Sequence, residues 1–306
     1  MARAPAPSLS LRRLAQGGDV QDPPEANPSD VLLGPRRLVL LVHGYNNDLA
    51  AGTQAYEGFR LVQREMGDIT ASLVDVYWPG DADWGIMSFL YYPQSIEKAE
   101  ASAGALARAL ADAARLGGPK EIDLIGHSMG CRLVLELLER LRTLAGVSVR
   151  RVVLMAGAVP TFMLEPAYEH GLRAAYDATV GSGGLSLYSG ADRVLSGAFP
   201  VGQTLGEGEE GVFPTALGHA YLAGPAAPAT LGQHEIAGAD HSDYWGWKES
   251  TRDLGREAGA IVREFLDLGP IPERIRASRA PAGRAAVEER TGPPVREIPT
   301  RAPEAA

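Results

Sequence analysis

Residues 122–130 read IDLIGHSMG, and this stretch decides the fold. A strand-like apolar run ends at Ile125. Beyond it, apolar side chains recur at the spacing of one helix face, at residues 129, 133, 134, 137, 138 and 141. The pattern G-x-S-x-G stands between the two, with Ser128 at its centre. A strand, a sharp turn and a helix in this order predict that the Ser128 hydroxyl is held above the edge of a sheet as a nucleophile.

Strand-like and helix-like segments alternate on both sides of this turn. The predicted strands are residues 37–42, 69–78, 121–125, 151–155 and 185–188, with a weaker one at 235–237. The predicted helices are residues 53–66, 96–116, 129–144 and 248–268. This alternation predicts an α/β fold in which a mostly parallel, twisted sheet is flanked by helices on both faces.

The length and composition favour one globular domain with a tail at each end. The chain has 306 residues, of which 45% are hydrophobic and 22% charged. Residues 31–270 carry the alternating segments and are one domain in size. Residues 1–30 are rich in proline, and residues 271–306 consist largely of Pro, Ala, Arg and Glu. We therefore expect both of these stretches to be mobile tails, because they offer little apolar surface to bury.

Several classes of protein are excluded by simple counts. The formal net charge of −9 argues against a nucleic-acid partner, which needs a basic face. A single cysteine, Cys131, can form neither an intramolecular disulfide nor a cysteine-based zinc site, and we expect no metal and no cofactor. The sequence has no apolar run of transmembrane or signal-peptide length, so we expect a cytoplasmic protein.

A serine nucleophile needs a general base. In this kind of strand–turn–helix arrangement, the serine comes first along the chain, the acid second and the base third. His241 comes after the last predicted strand and before the closing helix, which is where the base is expected. His219 and His234 flank a loop rich in Gly, Pro and Ala and are the weaker alternatives.

The base in turn needs an acid that orients its ring. Asp192 is the only carboxylate in the turn that follows the predicted strand at residues 185–188. We therefore expect Asp192 to orient His241, with Asp177 and Asp240 as alternatives.

Two backbone amides are candidates for stabilising an oxyanion. The Met129 N–H lies at the start of the predicted helix, where free amides and the helix dipole favour negative charge. The Tyr45 N–H follows Gly44 in the turn after the first predicted strand of the domain, which is where the second donor is expected. His43 precedes that turn and is interpreted as a residue that braces the loop.

Aromatic side chains are the candidates for a substrate pocket. Residues 81–94 read DADWGIMSFLYYPQ and are too irregular for a strand. Within them, Trp84, Phe89 and Tyr91 are predicted to form a pocket wall or lid above Ser128. Trp245, close to His241, is predicted to line the same pocket.

Five motifs occur in order along the chain. They are HGYNN at residues 43–47, YWPG at 77–80, GHSMG at 126–130, DRVLS at 192–196 and HSDY at 241–244. Together they resemble the α/β-hydrolase superfamily over residues 36–267. More narrowly, they resemble the bacterial domain-of-unknown-function hydrolases that carry HGYN and GHSMG motifs. The resemblance implies an α/β-hydrolase fold and the same nucleophile, acid and base.

These observations predict a serine hydrolase that cleaves a small-molecule carboxylic ester through an acyl-enzyme on Ser128. A thioester or amide substrate is the less favoured variant. Two alternatives stay open: a lipase-like or phospholipase enzyme that acts on membrane lipid, and a non-catalytic binding protein on the same fold. The sequence makes no prediction of the oligomeric state.

Overall fold

The apolar run at Arg37–Val42 forms the central strand of an eight-stranded sheet. The computed structural model describes residues 5–14, 18–81, 92–168, 171–200, 214–224 and 227–270. Residues 38–42 are all fully buried, although successive side chains on a strand point to opposite faces. The central strand is therefore covered on both faces, as is typical of parallel sheets in α/β proteins.

Eight strands are present among the described residues. They are β1 (Ser8–Arg12), β2 (Val20–Asn27), β3 (Arg37–Val42), β4 (Ser72–Tyr77), β5 (Lys120–His127), β6 (Val147–Met155), β7 (Gly184–Tyr188) and β8 (Leu231–Glu235). Their order across the sheet is β2-β1-β4-β3-β5-β6-β7-β8, and the β1–β2 pair is antiparallel whereas the other described pairs are parallel.

Five α-helices flank this sheet in the described ranges. They are α1 (Leu49–Glu65), α2 (Tyr92–Gly117), α3 (Gly130–Leu141), α4 (Arg173–Thr179) and α5 (Arg252–Leu266). Helix α1 contacts α5, while α3 contacts both α2 and α4. Short 3-10 turns occur at Thr161–Leu164, Asp243–Trp245 and Glu249–Thr251, and a π-helical turn at Val194–Ala198.

The chain order changes direction at the centre of the sheet. Strands β4, β1 and β2 lie on one side of β3, and β5 to β8 lie on the other. Val42 at the end of β3 pairs with Gly126 near the end of β5. The loops that leave these two strands consequently meet at one point of the carboxyl edge, the kind of position where α/β sheets bind ligands.

The predicted fold class is confirmed, and the element bounds differ in detail. The predicted strand at residues 69–78 is Ser72–Tyr77, and the predicted helix at 129–144 is Gly130–Leu141. The weak strand predicted at 235–237 is wrong in position, because β8 spans Leu231–Glu235. β8 is an edge strand of the sheet, and its sequence, LGQHE, has little apolar pattern to mark it.

The prediction that residues 1–30 form a mobile tail is wrong for most of that stretch. β1 pairs with β4 and β2 pairs with β1, so both belong to the sheet. Leu9 and Leu11 alternate along β1 and are buried. The composition of residues 1–30 does not predict β1, because two leucines among prolines offer little apolar surface. The strand is recognised only from its pairing with β4. The predicted tail at residues 271–306 lies outside the described residues.

No helix in the described ranges is both long enough and apolar enough to cross a membrane.

The burial of β1 predicts a measurable contribution to stability. Leu11→Ala is expected to lower the free energy of unfolding by about 2–5 kcal/mol, because it removes fully buried methyl groups and leaves a cavity. Leu14→Ala is the matched control, since Leu14 is 62% exposed. Urea unfolding of both variants measures these changes. Equal, small changes in the free energy of unfolding would show that the hairpin formed by β1 and β2 does not pack on the sheet in solution.

Candidate active site

Ser128 sits in a backbone conformation that L-residues rarely adopt. Its φ is +54°, in the left-handed region, between the end of β5 and the start of α3. The Ser128 N–H donates to the Met155 carbonyl at 3.0 Å, and the Ser128 carbonyl accepts from Cys131 N–H at 3.0 Å and Ala158 N–H at 3.1 Å. These bonds from three directions hold the strained turn in place, as strained residues require.

The two glycines of the motif allow this turn to pack against the neighbouring strand. A Cβ on Gly130 would collide with the backbone carbonyl oxygens of Val42 and His43. A Cβ on Gly126 would lie 2.9 Å from the Cα of Cys131. Any side chain at either position would force α3 away from the sheet, so the geometry requires glycine at both.

Three side chains from distant parts of the chain form one hydrogen-bonded row. The His241 Nε2 lies 2.8 Å from the Ser128 Oγ, and the His241 Nδ1 lies 2.8 Å from an oxygen of Asp192. The other carboxylate oxygen of Asp192 accepts the backbone N–H groups of Val194 and Leu195, each at 3.0 Å. Asp192 is fully buried, whereas the His241 side chain keeps 17% of its surface exposed. Because a carboxylate oxygen accepts, Nδ1 carries the hydrogen and Nε2 is left to accept from the serine hydroxyl.

The backbone of His241 is fixed on both sides. Its N–H donates to the Asp240 carboxylate at 2.9 Å, and its carbonyl oxygen lies 2.6 Å from the Nε2 of His127. A carbonyl oxygen only accepts, so the His127 Nε2 carries a hydrogen. Burial, with the nearby charge of His241 second, lowers the pKa of His127 to about 3. His127 therefore stays neutral near pH 7 and holds the loop that carries His241.

Asp243 anchors that loop to the start of α5. Its carboxylate accepts from Lys248 Nζ at 3.1 Å and from Thr251 Oγ1 at 2.8 Å. Its second oxygen accepts the Asp240 N–H at 2.9 Å. No local pattern predicts this role for Asp243, because Lys248 and Thr251 lie five and eight residues further along the chain.

The loop after β3 lies directly against Ser128. A Cβ on Gly44 would be 2.7 Å from the Ser128 Cβ, so Gly44 and Tyr45 pass next to the nucleophile. The Asn46 N–H donates to the Gly80 carbonyl at 2.6 Å, and the Asn47 side chain donates to the Gly44 carbonyl at 3.3 Å. At the start of α3, the Met129 N–H makes no hydrogen bond within the described part of the chain.

His43 braces this loop, as predicted from its place before Gly44. Its Nδ1 donates to the Gly44 carbonyl at 2.8 Å, and its Nε2 accepts the Trp78 N–H at 3.3 Å. Its own N–H donates to the Tyr56 hydroxyl on α1 at 2.8 Å. Burial lowers the pKa of His43 to about 3, so it too stays neutral near pH 7.

Trp245 does not occupy the position predicted for it. The prediction that it lines the pocket is wrong, because its ring is only 2% exposed. The ring packs edge-on against Tyr56 and Phe59 of α1, at centroid distances of 5.6 and 6.2 Å, and lies 5.4 Å from the ring of His127. It anchors the His241 loop to α1. The other predicted pocket residues, Trp84, Phe89 and Tyr91, lie outside the described residues.

The alternative acids and bases make other contacts. Asp177 pairs with Arg173 on α4, and Asp240 bonds the backbone of His241 rather than its ring. His234 lies on the edge strand β8, 4.0 Å from Glu257. Within the ranges that the structure describes, no three His, Cys, Asp or Glu side chains are grouped as metal ligands would be.

The parallel sheet, the serine turn after β5 and the loops at the switch point define the α/β-hydrolase fold. Residues 33–164 match the protein family described as "Alpha/beta hydrolase of unknown function (DUF900)". By its sheet topology and by this match, the chain has the α/β-hydrolase fold. The matched segment contains Ser128 and the loop after β3, and it ends before Asp192 and His241. No curated protein sequence matches the chain.

Solved structures similar to this chain include three proteins of low sequence identity. The lin2722 gene product of Listeria innocua is 11% identical, with 78% of this chain and 97% of that chain covered, at a TM-score of 0.47. The RedJ thioesterase from the prodiginine biosynthetic pathway of Streptomyces coelicolor is 14% identical, with 75% and 87% covered, at a TM-score of 0.40. An esterase from Pyrobaculum calidifontis is 14% identical, with 76% and 77% covered, at a TM-score of 0.39.

The buried neutral histidines predict that the free energy of unfolding falls in acid. Because the folded pKa of His127 is about 3 and its ordinary value is 6.5, the unfolded chain binds a proton between these pH values that the folded chain does not. Stability is therefore full above pH 6.5 and falls as the pH drops toward 3, by up to about 1.4 kcal/mol per pH unit for each such histidine. Asp75, whose pKa burial raises to about 6, acts in the opposite direction.

His127→Gln isolates one part of this effect, since glutamine keeps a donor but does not titrate. We expect the slope of unfolding free energy against pH to be shallower in the variant than in the wild type between pH 6.5 and 4. Urea unfolding at a series of pH values measures both slopes. Parallel slopes would mean that His127 is protonated in the folded protein.

Proposed function

We propose that this protein with an α/β-hydrolase fold is a serine hydrolase that cleaves a carboxylic ester through an acyl-enzyme on Ser128. The observation that carries the proposal is the unbroken row from Asp192 through His241 to the Ser128 Oγ, with both links at 2.8 Å. A vestigial site in a binding protein would have no need to keep both links at this length. A strained serine with its hydroxyl bonded to a partly exposed imidazole is an activated nucleophile.

The reaction follows from the direction of these hydrogen bonds. His241 Nε2 takes the proton of Ser128 as Oγ attacks the ester carbonyl carbon, and a tetrahedral oxyanion forms. Asp192 holds the ring in the required tautomer and stabilises the imidazolium. The imidazolium then gives its proton to the leaving alkoxide, which departs as the alcohol. A water molecule, deprotonated by the same nitrogen, then attacks the acyl carbon. The bond from that carbon to Ser128 Oγ breaks, the imidazolium returns its proton to Oγ, and the carboxylic acid leaves.

The oxyanion would lie between the backbone amides of Met129 and Tyr45. The Met129 N–H is free of other acceptors in the described chain, and it stands at the positive end of α3. The close approach of Gly44 to Ser128 brings the Tyr45 loop to the same place. Loss of one such donor typically costs about 3–4 kcal/mol of transition-state stabilisation.

We propose a small-molecule ester or acyl compound as the substrate. Nothing in this proton-transfer chemistry calls for a metal or cofactor, since the base, the acid and the oxyanion donors all come from the chain. Three points stay predictions from the sequence. They are the preference for an ester over a thioester or amide, the lipase-like alternative and the cytoplasmic location. Part of the predicted acyl pocket, residues 82–91, lies outside the described ranges.

The nucleophile is tested with a fluorescent fluorophosphonate probe and a panel of p-nitrophenyl esters of different acyl length. We expect the wild type to be labelled and to hydrolyse the esters, and Ser128→Ala to lose labelling and about 10⁶-fold in kcat. Asp192→Asn should lose about 10⁴-fold, because the imidazole then adopts the wrong tautomer. Ser196→Ala, an exposed serine on the Asp192 loop, is the control and should stay active. A folded wild type that is not labelled, or labelling that persists in Ser128→Ala, would refute the proposal.

The Tyr45 loop is tested by adding one methyl group to Gly44. The new Cβ would meet the Ser128 Cβ at 2.7 Å, so the loop must shift. We expect Gly44→Ala to lower kcat by about 100-fold, the usual cost of a displacement of about 1 Å in a catalytic group. Gly34→Ala is the matched control, because Gly34 precedes β3 and a Cβ there meets nothing within 4 Å. Equal kcat values for the two variants would remove this loop from the mechanism.

A further inference from the structure

Arg12 of the N-terminal hairpin reaches the candidate active site. Its guanidinium donates to the Trp78 carbonyl at 2.7 Å and to the Asn47 carbonyl at 3.2 Å, and it pairs with the Asp81 carboxylate. The side chains of Arg12 and Asp81 are only 2% and 4% exposed. A buried cation is retained only when it is paired and hydrogen-bonded, and here both conditions are met.

The contacts of Arg12 fall on the two loops that frame Ser128. Asn47 belongs to the loop after β3, and its side chain holds the Gly44 carbonyl. Trp78 and Asp81 belong to the loop after β4, where Trp78 bonds His43 through its backbone and its indole N–H. One guanidinium thus joins residues 43–47 to residues 78–81.

Arg12 lies where the pairing of β1 with β2 becomes irregular. The register of β1 with β2 shifts between Ser10, which pairs with Glu25, and Arg12, which pairs with Val20. An arginine suits the position because its planar fork presents donors in several fixed directions, whereas a lysine offers one compact charge.

We propose that Arg12 is a positioning residue for hydrolysis. By fixing the loop that contains Gly44 and Tyr45, it keeps the proposed Tyr45 donor in place opposite Met129. The hairpin then contributes to the active site and not only to the sheet, although it lies before the segment matched by the family, residues 33–164. The inference rests on the proposed function.

The matched control is Arg60, which is also buried and also paired with an aspartate, in this case Asp75 on β4. Its guanidinium lies 2.7 Å from the Asp75 carboxylate, and the two residues are 7% and 3% exposed. Arg60→Met removes a comparable ion pair that does not contact residues 43–47. A general loss of stability should therefore appear in both Arg12→Met and Arg60→Met.

The first measurement is steady-state kinetics on the best p-nitrophenyl ester. We expect Arg12→Met to lower kcat by about 10–100-fold with KM changed less than about threefold, because the reacting groups are misplaced rather than the substrate lost. Arg12→Lys should be intermediate and serves if Arg12→Met does not fold. Arg60→Met should keep kcat within about twofold of the wild type while its unfolding midpoint falls.

The second measurement is amide hydrogen exchange of peptides covering residues 43–48, which needs no activity. Exchange should be faster in the Arg12 variants than in the wild type and unchanged in Arg60→Met. Equal kcat losses in the Arg12 and Arg60 variants, or unchanged exchange at residues 43–48, would overturn the inference. If the wild type is not labelled at Ser128, the proposed function fails instead, and the exchange experiment still decides whether Arg12 holds the loop.

Discussion

The close packing of the Ser128 turn against the end of β3 is the constraint on which the rest of the site depends. Ser128 is held at φ +54° by three backbone hydrogen bonds, and a Cβ on Gly130 would collide with the carbonyl oxygens of Val42 and His43 at the end of β3. Strain of this kind costs about 1–3 kcal/mol and persists only where the surroundings fix it. Because the turn and the loop after β3 share this contact, the nucleophile and the neighbouring Gly44–Tyr45 amides are set by the same packing.

Two buried histidines extend this constraint to both sides of Ser128. His43 holds the loop after β3, and His127 holds the carbonyl of His241. Both stay neutral near pH 7, since burial lowers their pKa values to about 3, so each keeps one donor and one acceptor. Their hydrogen bonds go to the backbone of the loops. They therefore orient the site without adding charge beside the imidazole of His241.

The sheet reaches further toward the N-terminus than its apolar runs suggest. β1 covers the edge of β4, and Arg12 at its end ties together the loops after β3 and β4. A buried arginine is stabilised only if its partners are in place, so the hairpin and the two loops depend on one another. On the other side of the site, Asp243 likewise connects two segments, because it joins the His241 loop to the start of α5.

The sequence alone determined most of the strands and helices from β3 onward, the turn at Ser128, and Asp192 and His241 as its partners. The strands, the helices and the turn follow from local signals, because hydrophobic period and glycine spacing act over a few residues at a time. Asp192 and His241 follow from the chain order of serine, acid and base that this kind of fold uses. Only the tertiary structure decided that β1 and β2 join the sheet, that Trp245 is buried, and that His127 and Arg12 hold loops. His127 and His241 are 114 residues apart, and Arg12 and Trp78 are 66 apart. Contacts over such separations depend on strand order and register, which no local pattern of side chains encodes.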